Sequence, residues 1–352
     1  MTKNVNKVNR KTNKHCKRGK RKSVKIVEKQ LIFGGLNPDG ALSKLTTIKK
    51  TIRETACSVW MMQETKVAQP GTIKFDGFVT FEHTRINKDG GGLALSALET
   101  LNPVFLRDGG EEVEALNVII HSRKITISCN TAYGPQENAV LEKKEKFWAY
   151  LDEEYQRASN AGNRFVLQGD LNSWLGPEII PGDNRKINQN GKMLVNFVRR
   201  NKLTIVNSLP ICQGTTTWTR TRLGVKQVST IDFFIVCHQV LPYIYEMKID
   251  NEGTHKITNF KLKENVTESD HFPMWMKVNI KITPERPSQE KILNFKDKTA
   301  LINFKESTST TKEFSDCFKS NLSLKTKINQ WKHVLDNRSR ASFPVIRIRK
   351  KW

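Results

Sequence analysis

Short apolar runs broken by glycine, asparagine and aspartate recur along this chain. Segments 29–36, 58–62, 92–97, 115–121, 124–130, 164–168, 204–206 and 230–236 concentrate Val, Ile, Leu, Phe and Trp between turn-forming residues, the pattern of buried or half-buried strands. A different period, with apolar residues three and four apart as at Leu45, Ile48 and Ile52, marks helices over 44–55, 141–158 and 192–201. Several strands follow one another with no helix between them, whereas a parallel doubly wound sheet needs a helix after nearly every strand. The pattern therefore predicts an α+β fold of mainly antiparallel sheets packed together and flanked by helices. Gly90-Gly91-Gly92 lacks the Lys-Ser/Thr that a phosphate-cradling loop requires and reads as a tight turn into the next strand. Past Val278 the strand pattern stops, Pro284 and Pro287 interrupt, and only short amphipathic pieces such as 321–334 remain.

Charge sharpens this division. The 352 residues carry a net charge of +24. Residues 1–30 hold 12 basic side chains against 1 acidic, and residues 279–352 hold 17 against 7, so the stretch between them is left with only about +3. The expected organisation is a basic arm over 1–28, a nearly neutral domain over 29–280, and a basic extension over 281–352. Such ends suit a polyanion, either nucleic acid or an anionic membrane surface. Lys17-Arg18-Gly19-Lys20-Arg21-Lys22 reads as a nuclear address or phosphate contact, or as a solvated tail. No apolar stretch follows the first basic residues as in a signal peptide, and no run reaches the length of a membrane span. An intracellular protein with no membrane partner is expected. The six cysteines are scattered without CxxC or zinc spacing, so free thiols in a reducing compartment follow.

The chemistry lies in acids and amides at the ends of the apolar runs. Residues 165–168 are apolar up to Gln168, then Gly169-Asp170-Leu171-Asn172 delivers an acid and an amide two residues apart, on one face of an extended chain. Asp170 can accept a proton from attacking water and Asn172 can donate to a phosphoryl oxygen; capping a turn is the plainer use of the same pair. Asp232 stands inside an apolar strand, a costly place for a carboxylate without a partner, and His271 is the natural partner. A carboxylate fixes the imidazole tautomer and favours its protonated form, while Asp270 beside it can position water or a metal. Glu64 ends the strand Val59-Trp60-Met61-Met62, and Asn37 and Asp39 end an earlier one, where oxygen ligands can hold a hard cation. Asn37-Pro38-Asp39-Gly40 is also an ordinary turn sequence.

Taken in order, Asn37-Pro38-Asp39-Gly40, Gln63-Glu64-Thr65, Tyr133-Gly134-Pro135, Gly169-Asp170-Leu171-Asn172, Ile231-Asp232 and Ser269-Asp270-His271 resemble the motifs of the endonuclease/exonuclease/phosphatase superfamily. Within it the chain is similar to the apurinic-endonuclease-like domain of LINE-type retrotransposons, over roughly residues 29–278. The resemblance implies a four-layer α/β/β/α sandwich, with Mg²⁺ (or Mn²⁺) on Glu64 helped by Asn37 and Asp39. It also implies a phosphate-facing Tyr133, water activation by Asp170, phosphate contact by Asn172, and pairing of Asp232 with His271. Two departures stand out: Pro38 between Asn37 and Asp39, and Gly34-Gly35 where the family has a bulkier strand end. The tail resembles the connector that leads toward a reverse transcriptase, and no polymerase-like Asp-Asp pair follows, so a fragment or stand-alone remnant is expected.

The expected activity is Mg²⁺-dependent hydrolysis of DNA phosphodiester bonds in the nucleus, with the cytoplasm as the alternative location, DNA as partner and element RNA as a second one. The alternatives are another phosphodiesterase or phosphatase of the superfamily, and a catalytically inactive nucleic-acid-binding remnant. Trp218 is either a groove aromatic or a core residue.

Overall fold

In the computed structural model the described residues are 29–85, 90–122, 125–259, 268–282, 291–293 and 345–347. The Lys17–Lys22 cluster and the amphipathic piece at 321–334 lie outside them. In chain order the elements are β1 (Lys29–Leu36), α1 (Ala41–Glu54), β2 (Val59–Met62), β3 (Phe78–His83), β4 (Leu93–Leu98), β5 (Val104–Asp108), β6 (Ala115–Ser122), β7 (Ile125–Tyr133), α2 (Leu141–Asn160), β8 (Arg164–Asp170), α3 (Gln189–Arg200), β9 (Leu203–Ile205), β10 (Cys212–Gln213), β11 (Trp218–Arg222), β12 (Val225–Ser229), β13 (Asp232–Cys237), β14 (Ile244–Ile249) and β15 (Met274–Ile282). Two short strands, Lys291–Leu293 and Val345–Arg347, pair with each other.

Two large sheets carry the architecture. One has the order β10-β14-β15-β1-β2-β4-β3, and the other β5-β6-β7-β8-β13-β9. Pairing is mainly antiparallel, with parallel contacts at β1–β2, β7–β8 and β10–β14. Side-chain alternation along the strands builds the layers. Leu31 and Phe33 of β1 and Val59 and Met61 of β2 join the large core that includes the second sheet. Their neighbours Ile32, Leu36, Trp60 and Met62 turn the other way and meet Ile48 and Ile52 of α1. On the second sheet, Phe165 of β8 packs edge-on against Tyr155 of α2, with ring centroids 5.4 Å apart, while Trp148 of α2 meets Phe197 of α3 at 5.8 Å. The order is thus helix, sheet, sheet, helices, the α/β/β/α sandwich that the resemblance implied.

The apolar runs read from sequence coincide with β1, β2, β4, β6, β7, β8, β9 and β13, and the three helices fall where periodicity placed them. Helix α1 starts earlier than expected, because the amides of Gly40 and Ala41 are taken by the carbonyls of Glu64 and Thr65 (both 2.9 Å). The strand pattern also does not stop at Val278: β15 continues to Ile282, keeping Met274, Met276, Val278 and Ile280 buried against β1 and β14. Strands β3, β5, β11, β12, β14 and β15 carry too many polar positions for apolar runs to reveal them. The paired glycines of β1 are explained by close packing. A Cβ on Gly34 would lie 2.3 Å from the Trp60 ring, and one on Gly35 would lie 2.2 Å from the Gln168 side chain. That absence of side chains lets Gln168 and Gln63 meet between the sheets (2.8 Å), with Gln63 also donating to Thr131 Oγ1 at 2.6 Å. Among the described residues Cys57, Cys129, Cys212 and Cys237 are free thiols, and no described helix is long and apolar enough to cross a membrane.

Candidate active site

Register brings the chemistry to one end of the sandwich. On the second sheet Tyr133 pairs with Asp170 across β7–β8, and Asp232 pairs with Asp170 across β8–β13, so three functional side chains sit on adjacent strands at one level. On the first sheet Leu36 pairs with Met62 across β1–β2, so the residues that follow, Asn37 and Glu64, leave the sheet together. Ser269-Asp270-His271 enters the same region just before β15, which pairs with β1 at Gly35↔Met274. Ser269 fastens the two segments, its hydroxyl donating to Asn37 O at 2.8 Å and accepting from the His271 amide at 3.1 Å.

All nine residues expected from sequence converge here. Asn37, 1 % exposed, uses its Nδ2 to donate to Glu64 Oε1 at 3.1 Å and to Asp170 Oδ2 at 3.0 Å, tying the two sheets' carboxylates together. Its Oδ1 accepts the Asp39 amide at 3.0 Å. His271 Nδ1 lies 2.9 Å from Asp232 Oδ2, while its Nε2 faces Asp170 Oδ2 at 3.7 Å and Asp270 Oδ1 at 3.8 Å. The Asn172 amide N–H donates to Asp170 Oδ1 at 3.1 Å, and Asn172 Nδ2 to Gly134 O at 2.9 Å. The Tyr133 hydroxyl lies close to the charges of Asp170 and Glu64. Asp39, Glu64 and Asn172 all hold positive φ, at 47°, 46° and 49°, a conformation uncommon outside glycine and one that clusters at functional sites. Beside Glu64 and Tyr133 opens a cleft of about 780 Å³ bordered by Arg85, Gly91 and Glu114.

Burial sets the proton positions. Asp170 is 2 % exposed, and burial, reinforced by the neighbouring Asp232 charge, pushes its carboxyl up to about 7. Burial alone would pull His271 down, but the charge of Asp232 and its hydrogen bond, with Asp170 and Asp270 beyond, lift it to about 10. Burial, with the Asp170 and Glu64 charges, pushes the Tyr133 hydroxyl well above its ordinary range. At neutral pH the site thus holds an imidazolium on Asp232 beside a carboxyl poised to gain or lose a proton.

Sequence reasoning missed several residues that hold this arrangement. The buried Lys44 donates to Pro38 O (2.6 Å) and Asp39 O (2.9 Å), pinning the turn that contains the departure at Pro38; burial lowers its pKa. Lys66 pairs with Asp39 and lies 4.0 Å from Glu64 Oε2. Burial opposes the charged form of Asp39, yet the hydrogen bond and charge of Lys66 hold its carboxyl below the usual range. Thr217 Oγ1 accepts the amides of both Ile231 and Asp232, at 3.0 and 3.1 Å, fixing the carboxylate that carries His271. Lys66 had a signal in its place directly after Gln63-Glu64-Thr65; Lys44 and Thr217 had none, since a lone lysine on a helix and a threonine in a polar loop are commonplace.

Asp170, Asp232 and His271 offer ligand atoms within 4.8 Å of one another. Of these only His271 and Asp232 are within hydrogen-bond distance, and a hard divalent cation takes oxygen ligands. The carboxylates of Glu64 and Asp39 both gather the Lys66 cation, an oxygen pair of the kind a hard cation uses.

The structure is similar to the endonuclease domain of TRAS1, a telomere-specific non-LTR retrotransposon, at 16 % identity over 71 % of this chain and 99 % of that one, with a TM-score of 0.51. The fold is that of the endonuclease/exonuclease/phosphatase enzymes. The AP endonuclease LMAP from Leishmania major shares this endonuclease/exonuclease/phosphatase fold at 15 % identity over 71 % of this chain and 87 % of its own, with a TM-score of 0.57. So does the 3' phosphatase NExo from Neisseria, solved with a product DNA hairpin, at 15 % identity over 71 % of this chain and 100 % of its own, with a TM-score of 0.54. No protein-family model and no curated protein matches the sequence.

Proposed function

We propose that this chain is a metal-dependent endonuclease that cuts one strand of DNA, in the manner of the nicking enzymes of LINE-like retroelements. The observation that carries the reading is the junction of two half-sites at one groove end: the Asp170–His271–Asp232 relay on one side and Glu64 with Asn37 on the other. In this reading Asp170, near neutrality in its pKa, takes the proton of the attacking water. Asn172 keeps one amide hydrogen for a phosphoryl oxygen while its other is engaged by Gly134 O. His271, held protonated by Asp232, donates to the phosphate as negative charge grows there, and the Tyr133 hydroxyl stands beside the same oxygens. Glu64, Asp39 and Asp270 would hold a divalent cation, which would supply Lewis acidity at the phosphoryl group. Attack by water on phosphorus breaks the P–O3' bond and leaves a 3'-hydroxyl and a 5'-phosphate.

The basic ends supply long-range attraction to DNA, and to element RNA as a second polyanion, and suit residence in the nucleus. The test is relaxation of supercoiled plasmid by the full chain with Mg²⁺ and with a chelator. Asp170→Asn and His271→Ala each lose about 10² to 10⁴ in rate if they serve as acid and base. Equal nicking by all three proteins contradicts the proposal. A second reading, removal of terminal phosphate, is favoured by the likeness to the NExo phosphatase fold. Release of inorganic phosphate from a 3'-phosphorylated oligonucleotide, without nicking, supports it instead.

A further inference from the structure

Beyond the catalytic residues, one cation at the site mouth is held without an anion. The guanidinium carbon of Arg185 lies 4.5 Å from the Trp174 ring centre and 5.6 Å from that of Trp218. All three side chains are half-buried. Among the described residues no carboxylate or other acceptor reaches the Arg185 guanidinium; only its backbone is tied, the amide donating to Asp183 Oδ1 at 3.1 Å. Both rings are anchored in the catalytic frame. Trp218 Nε1 donates to Asp270 Oδ2 at 2.9 Å, and Trp174 stands two residues after Asn172, its amide donating to Asn188 Oδ1 at 3.0 Å. The loop behind Arg185 is close-packed, because a Cβ on Gly176 would sit 3.2 Å from Arg185 O.

A guanidinium over indole rings is oriented and partly stripped of water on those sides, so its five N–H donors present a fixed fork. Half-buried donors with no protein acceptor are costly unless something outside supplies one. The ligand that matches a planar, charged fork is an oxyanion, and next to a centre for phosphodiester cleavage it is another phosphate of the same strand. We propose that the Trp174–Arg185–Trp218 stack is a subsite for a phosphate neighbouring the one that is cut, reached on the Asp270 side of the centre. This rests on the nuclease reading, and it assigns Arg185 to substrate positioning rather than to the bond-breaking step.

The experiment is fluorescence-anisotropy binding of a duplex oligonucleotide to the full chain in Ca²⁺ at a series of salt concentrations, for wild type, Arg185→Ala and Arg185→Lys. The expected result is a Kd raised about tenfold by Arg185→Ala, with the salt slope reduced by roughly 0.9, one phosphate contact. Arg185→Lys is expected to retain the slope, because its charge remains, while losing much of the affinity, because the fork is gone. In Mg²⁺ the nicking KM of Arg185→Ala rises while kcat stays within about twofold, a split that a merely structural role does not produce. Wild type that binds with a slope unchanged in Arg185→Ala overturns the subsite alone. Wild type that neither binds nor nicks DNA overturns the nuclease reading instead.

Discussion

Replacing Asp232 by Asn tests the proton arrangement on which the chemistry rests. The side chain keeps its size in a position only 2 % exposed, but the charge next to His271 Nδ1 at 2.9 Å disappears. His271 stands at about 10 against its ordinary 6.5, a difference of about 5 kcal/mol at 1.36 kcal/mol per unit, shared among Asp232, Asp170 and Asp270 with Asp232 foremost. Loss of the leading contribution, with burial still acting against charge, is expected to lower the His271 pKa by at least about two units, roughly 3 kcal/mol. Burial, the largest cause of the raised Asp170 carboxyl, remains in the variant, and only the contribution of the Asp232 charge is removed. At about pH 8 half or more of the imidazole therefore loses its proton and nicking falls by at least about twofold, with recovery toward acid pH. Ring-carbon NMR of His271 across pH in metal-free protein, set beside plasmid-nicking rates, measures both. A His271 that remains protonated at about pH 8 in the variant refutes the reasoning.

Three further outcomes follow from the same contacts. A carboxyl whose folded pKa is raised from 3.8 to about 7 contributes stability that is fully present below about 3.8 and lost as pH rises through about 7. His271 likewise favours the folded state below 6.5 and loses that contribution through about 10. Metal-free protein is thus expected to melt at lower temperature at about pH 8 than at pH 5, and Asp170→Asn to flatten that fall, as read by calorimetry. Thr217→Val strands the amides of Ile231 and Asp232 without an acceptor and should cost about 2 kcal/mol in urea unfolding. Lys44→Met leaves the carbonyls of Pro38 and Asp39 unpaired and should weaken Mn²⁺ binding at the neighbouring carboxylates, measured by isothermal titration, along with a loss of about 2 kcal/mol in stability.

The sequence made the buried strands legible because burial on both faces leaves nearly continuous apolar runs, as in Phe165-Val166-Leu167 and Asp232–Cys237 with its all-buried pattern. It did not reveal β11 and β12, since Trp218–Arg222 and Val225–Ser229 pair mainly with each other and present exposed polar residues. The acids were readable for the opposite reason: a carboxylate inside or at the end of an apolar run is costly without a partner, and Asp232 and Asp170 both found theirs. What spacing could not give was the third dimension. Asn37 as the link between Glu64 and Asp170 depends on two sheets meeting face to face, and Lys44 and Thr217 act through backbone contacts that leave no pattern in the chain. The Gly34-Gly35 departure became intelligible only once Trp60 and Gln168 were seen to fill the space.

The central claim is that residues scattered from Asn37 to His271 act on a single phosphate. A double-mutant cycle of single-turnover nicking rates for Asp170→Asn and His271→Ala, singly and together, measures it most directly, because residues that work as one unit are grossly non-additive. The account expects the double variant to be no slower than the worse single variant within about threefold. Losses that multiply, each variant exacting its full factor from the other's residual activity, would mean two independent sites and contradict it.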